Sequence, residues 1–310
     1  MHRRAFYCVS DADYFLGLVA LVNSLRLVGQ REPIIVLDCG LEPSQRTLLE
    51  REATVLTPSR DRSPIWAKFD APLQLPAAEV MVVIDVDVIA VRTLAELLDR
   101  AASGSVVAFT DDQPAYFNPE WRSVLDCPEL KPRTYVNAGF LALPGDFGPE
   151  LIRRIREVQD HLFLNDALDV GDRPIANPFR TPDQDVANAV LSEMVPDARI
   201  ATLDHALAPF QPWEKVQLDD RLTLRCHIAD GRRPYLLHHI DDKPWLKPMP
   251  GSAYSALLPR LLCAEDIALQ IEFAELPYRL RQGAIAGVWR WWSNKAAGAR
   301  VGFQGWRGTL

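Results

Sequence analysis

The feature that most constrains this chain is the run Val80-Met81-Val82-Val83-Ile84, closed by Asp85-Val86-Asp87. A continuous apolar run without alternation reads as a strand covered on both faces. Such strands belong to mostly parallel sheets with helices on either side. Two carboxylates then break the run. A carboxylate taken out of water needs a counter-charge or a metal. In a straight strand, residues i and i+2 share a face, so the spacing predicts that Asp85 and Asp87 reach one ion. Oxygen ligands suit Mn²⁺ or Mg²⁺, which bridge diphosphate oxygens.

The flanking sequence supports an α/β fold with a mostly parallel central sheet flanked by helices. Segments 5–10, 33–37, 54–56 and 106–109 read as further strands. Between them 13–27, 44–51 and 94–101 carry helical patterns, with Leu18, Leu21, Val22 and Leu25 on one face of the first. The second half is less regular. It predicts a strand over 135–143 with a break at Gly139, helices over 146–161 and 184–193, and a last strand over 235–239. The expected division is a catalytic domain over 1–250 and a helical C-terminal region over 251–310. Ligands of such sheets bind beyond the carboxyl ends of the strands, where Ser10, Asp11 and Asp85 fall.

A second constellation is Leu237-His238-His239-Ile240-Asp241-Asp242-Lys243-Pro244-Trp245. A neutral imidazole can complete a Mn²⁺ site, and a lysine is a point charge for a phosphate. Either His238 or His239 could be the ligand. Asn137-Ala138-Gly139 places an amide beside a residue that lets another group come close. Thr181-Pro182-Asp183-Gln184-Asp185 reads as a helix start.

The net charge of −7 on 310 residues argues against nucleic acid as a partner. The five cysteines, scattered and without a Cys-x-x-Cys pair, argue against structural zinc and a disulfide framework. The first apolar run stops at Ser10-Asp11, too short for a signal-peptide core, so a cytoplasmic location is expected. Residues 277–310 hold six basic side chains and no acid. With Tyr278, Ile285, Val288, Trp289 and Trp292 at helical spacing, the stretch 278–307 predicts docking on an anionic membrane face, against packing on the domain.

Taken in order, these motifs resemble family 8 glycosyltransferases, the group of glycogenin and bacterial lipopolysaccharide sugar transferases, over about residues 5–245. Phe6 to Tyr14 resembles the family's opening strand and nucleotide loop, and Asp85-Val86-Asp87 its metal motif. Asn137-Ala138-Gly139 and Asp183-Gln184-Asp185 resemble two further segments. His238 to Trp245 resembles its His-x-x-Gly-x-x-Lys-Pro-Trp, with Asp241 in place of glycine and one residue fewer before Lys243. The resemblance implies a GT-A fold and retaining sugar transfer from a nucleotide diphosphate, UDP by default, to a glycan or lipid-linked acceptor. It implies that Ser10, Asp11, Tyr14, Lys68, Asp85 and Lys243 hold the donor, with Tyr14 stacked on the base. Asp85, Asp87 and His238 (or His239) would hold the ion, and Asn137, Asp183 and Gln184 would line the sugar pocket. A non-catalytic sugar-nucleotide-binding protein is the alternative. A nucleotidyltransferase is disfavoured because 8–14 contains no glycine.

Overall fold

A computed structural model describes residues 3–60, 62–164, 178–246, 251–278 and 280–281. In chain order the first half is β1 (Arg4–Ser10), α1 (Phe15–Leu27), β2 (Ile34–Asp38), α2 (Pro43–Leu49), β3 (Thr54–Leu56), α3 (Pro64–Ala67), β4 (Val80–Ile84) and β5 (Val88–Ala90). Then come α4 (Ala95–Ala102), β6 (Val106–Thr110), α5 (Trp121–Leu125), β7 (Val136–Pro144), α6 (Gly148–Leu164) and α7 (Gln184–Met194). The remainder is β8 (Ile200–Leu203), β9 (Phe210–Gln211), β10 (Val216–Asp220), β11 (Arg225–Ile228), β12 (Leu236–His239) and α8 (Ala253–Cys263).

A seven-stranded sheet runs β3-β2-β1-β4-β7-β6-β8. Only β7 opposes its neighbours; the pairs β1–β2, β1–β4, β2–β3 and β6–β8 are parallel. Alternation divides the strands between two apolar cores. Phe6, Cys8, Val80, Val82, Ile84 and Phe140 face the core made with α1, α4 and α8. Ala5, Tyr7, Met81, Val83 and Leu141 face the core made with α3, α5, α6 and α7. Every residue of β4 is buried, as its unbroken apolar run requires.

This topology sets where chemistry can occur. The carboxyl ends of β1, β4 and β6 lie on one edge, and antiparallel β7 brings its start, Asn137, to the same edge. Ile84 pairs with Phe140 and Thr110 with Val136. Two sequence expectations change here. Strand β7 is continuous through Gly139, and the irregularity sits in its pairing with β6, between Ala108 and Thr110. The acidic motif is also not a strand. β4 ends at Ile84, and the Val88 N–H donates to the Asp85 carbonyl at 3.3 Å. The chain therefore turns out of the main sheet there. It continues as β5, which pairs with β12 in a small sheet ordered β5-β12-β9.

The C-terminal helix α8 shares a core with α1. Asn23 of α1 is wholly buried and stitches the two together. Its Nδ2 donates to the Leu261 and Leu269 carbonyls, each at 2.7 Å, and its Oδ1 accepts from the Leu269 N–H at 2.8 Å. No helix among the described residues is long and apolar enough to cross a membrane. The expected membrane contact over 278–307 lies almost wholly outside the described residues.

Candidate metal and donor site

The turn Asp85-Val86-Asp87 is held from three sides. The Asp85 N–H donates to the Gly139 carbonyl at 3.0 Å, extending the β4–β7 ladder by one step. The His239 N–H donates to the Asp87 carbonyl at 3.0 Å, and Val86 is buried. One carboxylate oxygen each from Asp85 and Asp87 and one ring nitrogen of His238 lie within 4.8 Å of one another. His238 Nε2 is 3.3 Å from Asp87 Oδ1, which is sealed from water and receives no well-directed hydrogen bond from the described residues. A buried carboxylate oxygen left this way suits a cation. Two carboxylates and an imidazole are a donor set for Mn²⁺ or Mg²⁺.

Adjacent residues on a strand point to opposite faces, and this separates the two histidines. His238 turns to the carboxylates. His239 is wholly buried on the other side, edge-on to Tyr254 with centroids 5.2 Å apart. Neither His239 ring nitrogen has a hydrogen-bond partner among the described residues, and burial together with the nearby Lys243 ammonium pushes its pKa down to about 4. Gly139 explains how His238 fits. A Cβ there would lie 2.4 Å from His238 Cε1, so only glycine leaves room for the ring against β7.

Lys243 Nζ sits 2.6 Å from Asp87 Oδ2 and donates to the His239 carbonyl at 2.8 Å. Pro244 and Trp245 fix this loop. The Trp245 indole N–H donates to the Asp13 carbonyl at 2.8 Å. Its ring fills a notch in α1 where a Cβ on Gly17 would lie 2.3 Å from Trp245 Cη2. Tyr14 meets Trp245 edge-on with centroids 6.0 Å apart, and Lys243 Nζ lies 5.8 Å from the Tyr14 ring centre. Asp11 Oδ1 accepts from the Tyr14 N–H at 3.0 Å and orders the loop into α1. Ser10 is fully buried and donates to the Asp11 carbonyl at 3.1 Å, so it shapes this loop from beneath.

On the other flank Lys68 lies 2.7 Å from Asp85 Oδ1 and 3.0 Å from Asp183 Oδ2. Burial works against its ammonium, but the two carboxylates outweigh it and hold its pKa above that of ordinary lysine. Asp183 sits at the N-cap position of α7, but its carboxylate turns to Lys68 and makes no capping hydrogen bond. Gln184 then faces β7, its Oε1 accepting from Asn137 Nδ2 at 3.0 Å and from the Ala138 N–H at 3.1 Å. Its Nε2 donates to Asp111 Oδ2 at 3.0 Å, and Asn137 Nδ2 lies 3.3 Å from the same oxygen. Asp185 is different. It is wholly buried and accepts from the Tyr135 hydroxyl and, at 2.5 Å, from the Arg180 N–H, which makes it part of the support of this wall.

Asp111 is not among the residues that the sequence motifs single out. Its signal was present, because Phe109-Thr110-Asp111-Asp112 ends β6 much as Asp85 ends β4. Burial works against its charge, but hydrogen bonds from Asn137, the Gln113 N–H and Gln184 outweigh it and hold its carboxyl below the usual range.

No protein-family model matches the chain, and no curated protein sequence matches it. Solved structures do. One is a galactosyltransferase, LgtC, in complex with donor and acceptor sugar analogues. It is 13% identical with a TM-score of 0.56, over 85% of this chain and 98% of that one. The bifunctional glycosyltransferase WbbM matches at 16% identity and TM-score 0.54, over 83% of this chain and 49% of that one. GlyE of Streptococcus pneumoniae matches at 14% identity and TM-score 0.53, over 85% of this chain and 61% of that one. This chain has a family 8 glycosyltransferase-like fold. In that GT-A arrangement the described cluster able to hold a divalent ion lies at the edge where β1, β4 and β6 end.

Proposed function

We propose that the protein is a metal-dependent, retaining glycosyltransferase that moves a sugar from a nucleotide diphosphate, UDP by default, to a glycan or lipid-linked acceptor. The observation that carries this is the convergence of Asp85, Asp87 and His238 within 4.8 Å, beside Lys243 and Lys68, in a glycosyltransferase fold. Asp85, Asp87 and His238 would hold the ion, whose chemistry is to offset negative charge on the diphosphate.

The residues of the chain divide the remaining work. Lys243 faces the departing diphosphate and stabilises its growing charge. Tyr14 and the Asp11 loop face the nucleoside. Lys68, Asp183, Asn137 and Gln184 line the sugar. The anomeric carbon loses its bond to the diphosphate oxygen and gains one to the acceptor hydroxyl oxygen. The hydroxyl proton passes to the departing diphosphate. Same-face attack is favoured because Gln184 Oε1 already accepts two hydrogen bonds and Asp183 is paired with Lys68, leaving neither poised as a nucleophile. The basic, tryptophan-bearing stretch 278–307 is assigned to an anionic membrane face on the cytoplasmic side.

The test is a panel of nucleotide sugars with and without Mn²⁺, read by thermal shift and by release of nucleoside diphosphate. A ligand that binds the native state raises the midpoint in step with its affinity. The expected result is a Mn²⁺-dependent shift and turnover with one donor. A shift without turnover, with any acceptor supplied, would mean a sugar-nucleotide-binding protein. No shift with any donor would sink the proposal.

A further inference from the structure

The Lys68–Asp183 pair joins two segments that are far apart in sequence, and a second connection joins them from behind. It runs through α6. Arg156 and Gln159 are buried, Gln159 completely. Arg156 Nη1 donates to the Trp66 carbonyl at 2.7 Å, and its Nε lies 2.5 Å from Asp70 Oδ1. Trp66 and Asp70 bracket Lys68 two residues before and two after it. Arg156 Nη1 also donates to Gln159 Oε1 at 2.8 Å. Gln159 Nε2 donates to the Pro182 carbonyl at 2.8 Å, immediately before Asp183.

These contacts close a ring. From Lys68 it crosses the ion pair to Asp183 and steps back along the chain to Pro182. It then passes through the Gln159 amide and the Arg156 guanidinium to Trp66, and along the chain to Lys68. We propose that Arg156 and Gln159 are positioning residues that fix the Lys68–Asp183 pair, and hence the sugar wall of the pocket. The effect on turnover rests on the transferase reading above; the geometric claim does not.

The physical case is that short side-chain bonds at low dielectric are directional and costly to leave unmade. Lys is a flexible stem with a point charge and does not fix its own place. Arg156 spans four acceptors, the Trp66 carbonyl, Asp70, Gln159 and Asp160, with one rigid fork, which a lysine ammonium at the same position does not match. Helix α6 therefore ties the α3 segment and the α7 start to one rigid element, and displacing a group by about 1 Å in such a site costs about 10²-fold in rate.

The test uses the full chain carrying Gln159→Glu, with Arg156→Lys as a second variant. Gln159→Glu keeps the acceptor for Arg156 but sets a carboxylate oxygen against the Pro182 carbonyl, which breaks one link of the ring. Two readouts are taken. The first needs no activity: the rate at which acetic anhydride acylates Lys68, followed by mass spectrometry and referred to Lys215 in the same sample. The expected result is a rise of about tenfold in Lys68 acylation in Gln159→Glu, and a rise in Arg156→Lys, because local opening exposes the amine. The second is turnover with Mn²⁺ and the donor found above. Gln159→Glu should lower kcat about tenfold with donor KM within about twofold. In an Asp183→Asn background it should lower kcat no further, because residues acting through one group are not additive. Lys68 acylation at the wild-type rate in both variants overturns the proposal. So does a kcat loss that is undiminished in the Asp183→Asn background. If the wild-type protein transfers sugar from no donor, the transferase reading falls by itself, and the acylation rates still decide whether the ring holds Lys68.

Discussion

Asp85 and Asp87 are separated only by Val86, yet they occupy opposite electrostatic surroundings. Burial raises the pKa of both. At Asp87 the attraction of His238 and of Lys243 outweighs burial, and the carboxyl is held well below its usual range. At Asp85 burial prevails over Lys68, with Asp87 and Asp183 adding to it, and the pKa is raised. The reason is the count of partners. Asp87 has a lysine and a histidine largely to itself. Asp85 shares one lysine with Asp183. The Lys243 corner is therefore balanced before any ligand arrives, while the Lys68 corner carries surplus negative charge. A divalent cation between them would relieve the second corner more than the first.

The comparison can be broken most sharply at Asp87. Asp87→Asn should lower Mn²⁺-dependent turnover about 10³-fold while leaving circular dichroism unchanged. Asp85→Asn should lose about 10²-fold and recover in part as Mn²⁺ is raised, because the surplus charge there is what the ion relieves. Equal losses with equal recovery would show that the two corners are not distinct. An active Asp87→Asn enzyme, or full activity in excess EDTA, would remove the metal from the account.

A smaller effect is expected at Lys243. Lys243→Ala should reduce kcat about 10²-fold with donor affinity changed less, since charge on the leaving group grows in the transition state. An unchanged kcat with a raised KM would make Lys243 a binder of the ground state only.

The smallest contrast lies between the two histidines. His238→Ala should weaken metal-supported donor binding about 10-fold or more in calorimetry, and His239→Phe less than about threefold. The reverse order would place the metal ligand at His239. His239 also carries an acid signature. Its pKa falls from about 6.5 in the unfolded chain to about 4 in the fold, so between those values the unfolded state binds the extra proton. Stability should fall as pH drops through that window, by about 3 kcal/mol at most. His239→Phe should flatten this part of the profile in denaturant titrations; an unchanged profile would assign the acid limb to other groups.

Much of the fold was legible because the main sheet uses long signals. Segments 54–56 and 80–84 match their strands residue for residue, and the first helix differs only at its start. The small sheet as a unit was not legible, although its central strand β12 falls within the strand expected over 235–239. β5 has three residues and β9 two, too short to show a period, and their partner β12 lies far along the chain. The site followed the same rule. Asp85 and Asp87 stand out as polar breaks closing an apolar run, Lys243 as a lysine held before Pro244-Trp245, and Asp183-Gln184 as a helix start. The choice between His238 and His239 depends on which face of a short strand is buried, which sequence spacing does not record. Arg156 and Gln159 sit on a helix whose pattern gives them no distinction, and only their partners do.

The Trp245 indole, seated in the notch at Gly17 and bonded to Asp13, bears on how this protein is born. Synthesis proceeds from the N-terminus, so β1, β2, β3 and β4 leave the ribosome while more than a hundred residues are still unmade. At that stage both acids of the turn exist, but His238, Lys243 and the tryptophan that anchors their loop do not. A growing chain thus carries its carboxylates without the imidazole or the ammonium that complete the site. The site can be complete only after His238, Lys243 and Trp245 have been made and their loop has seated against the first helix.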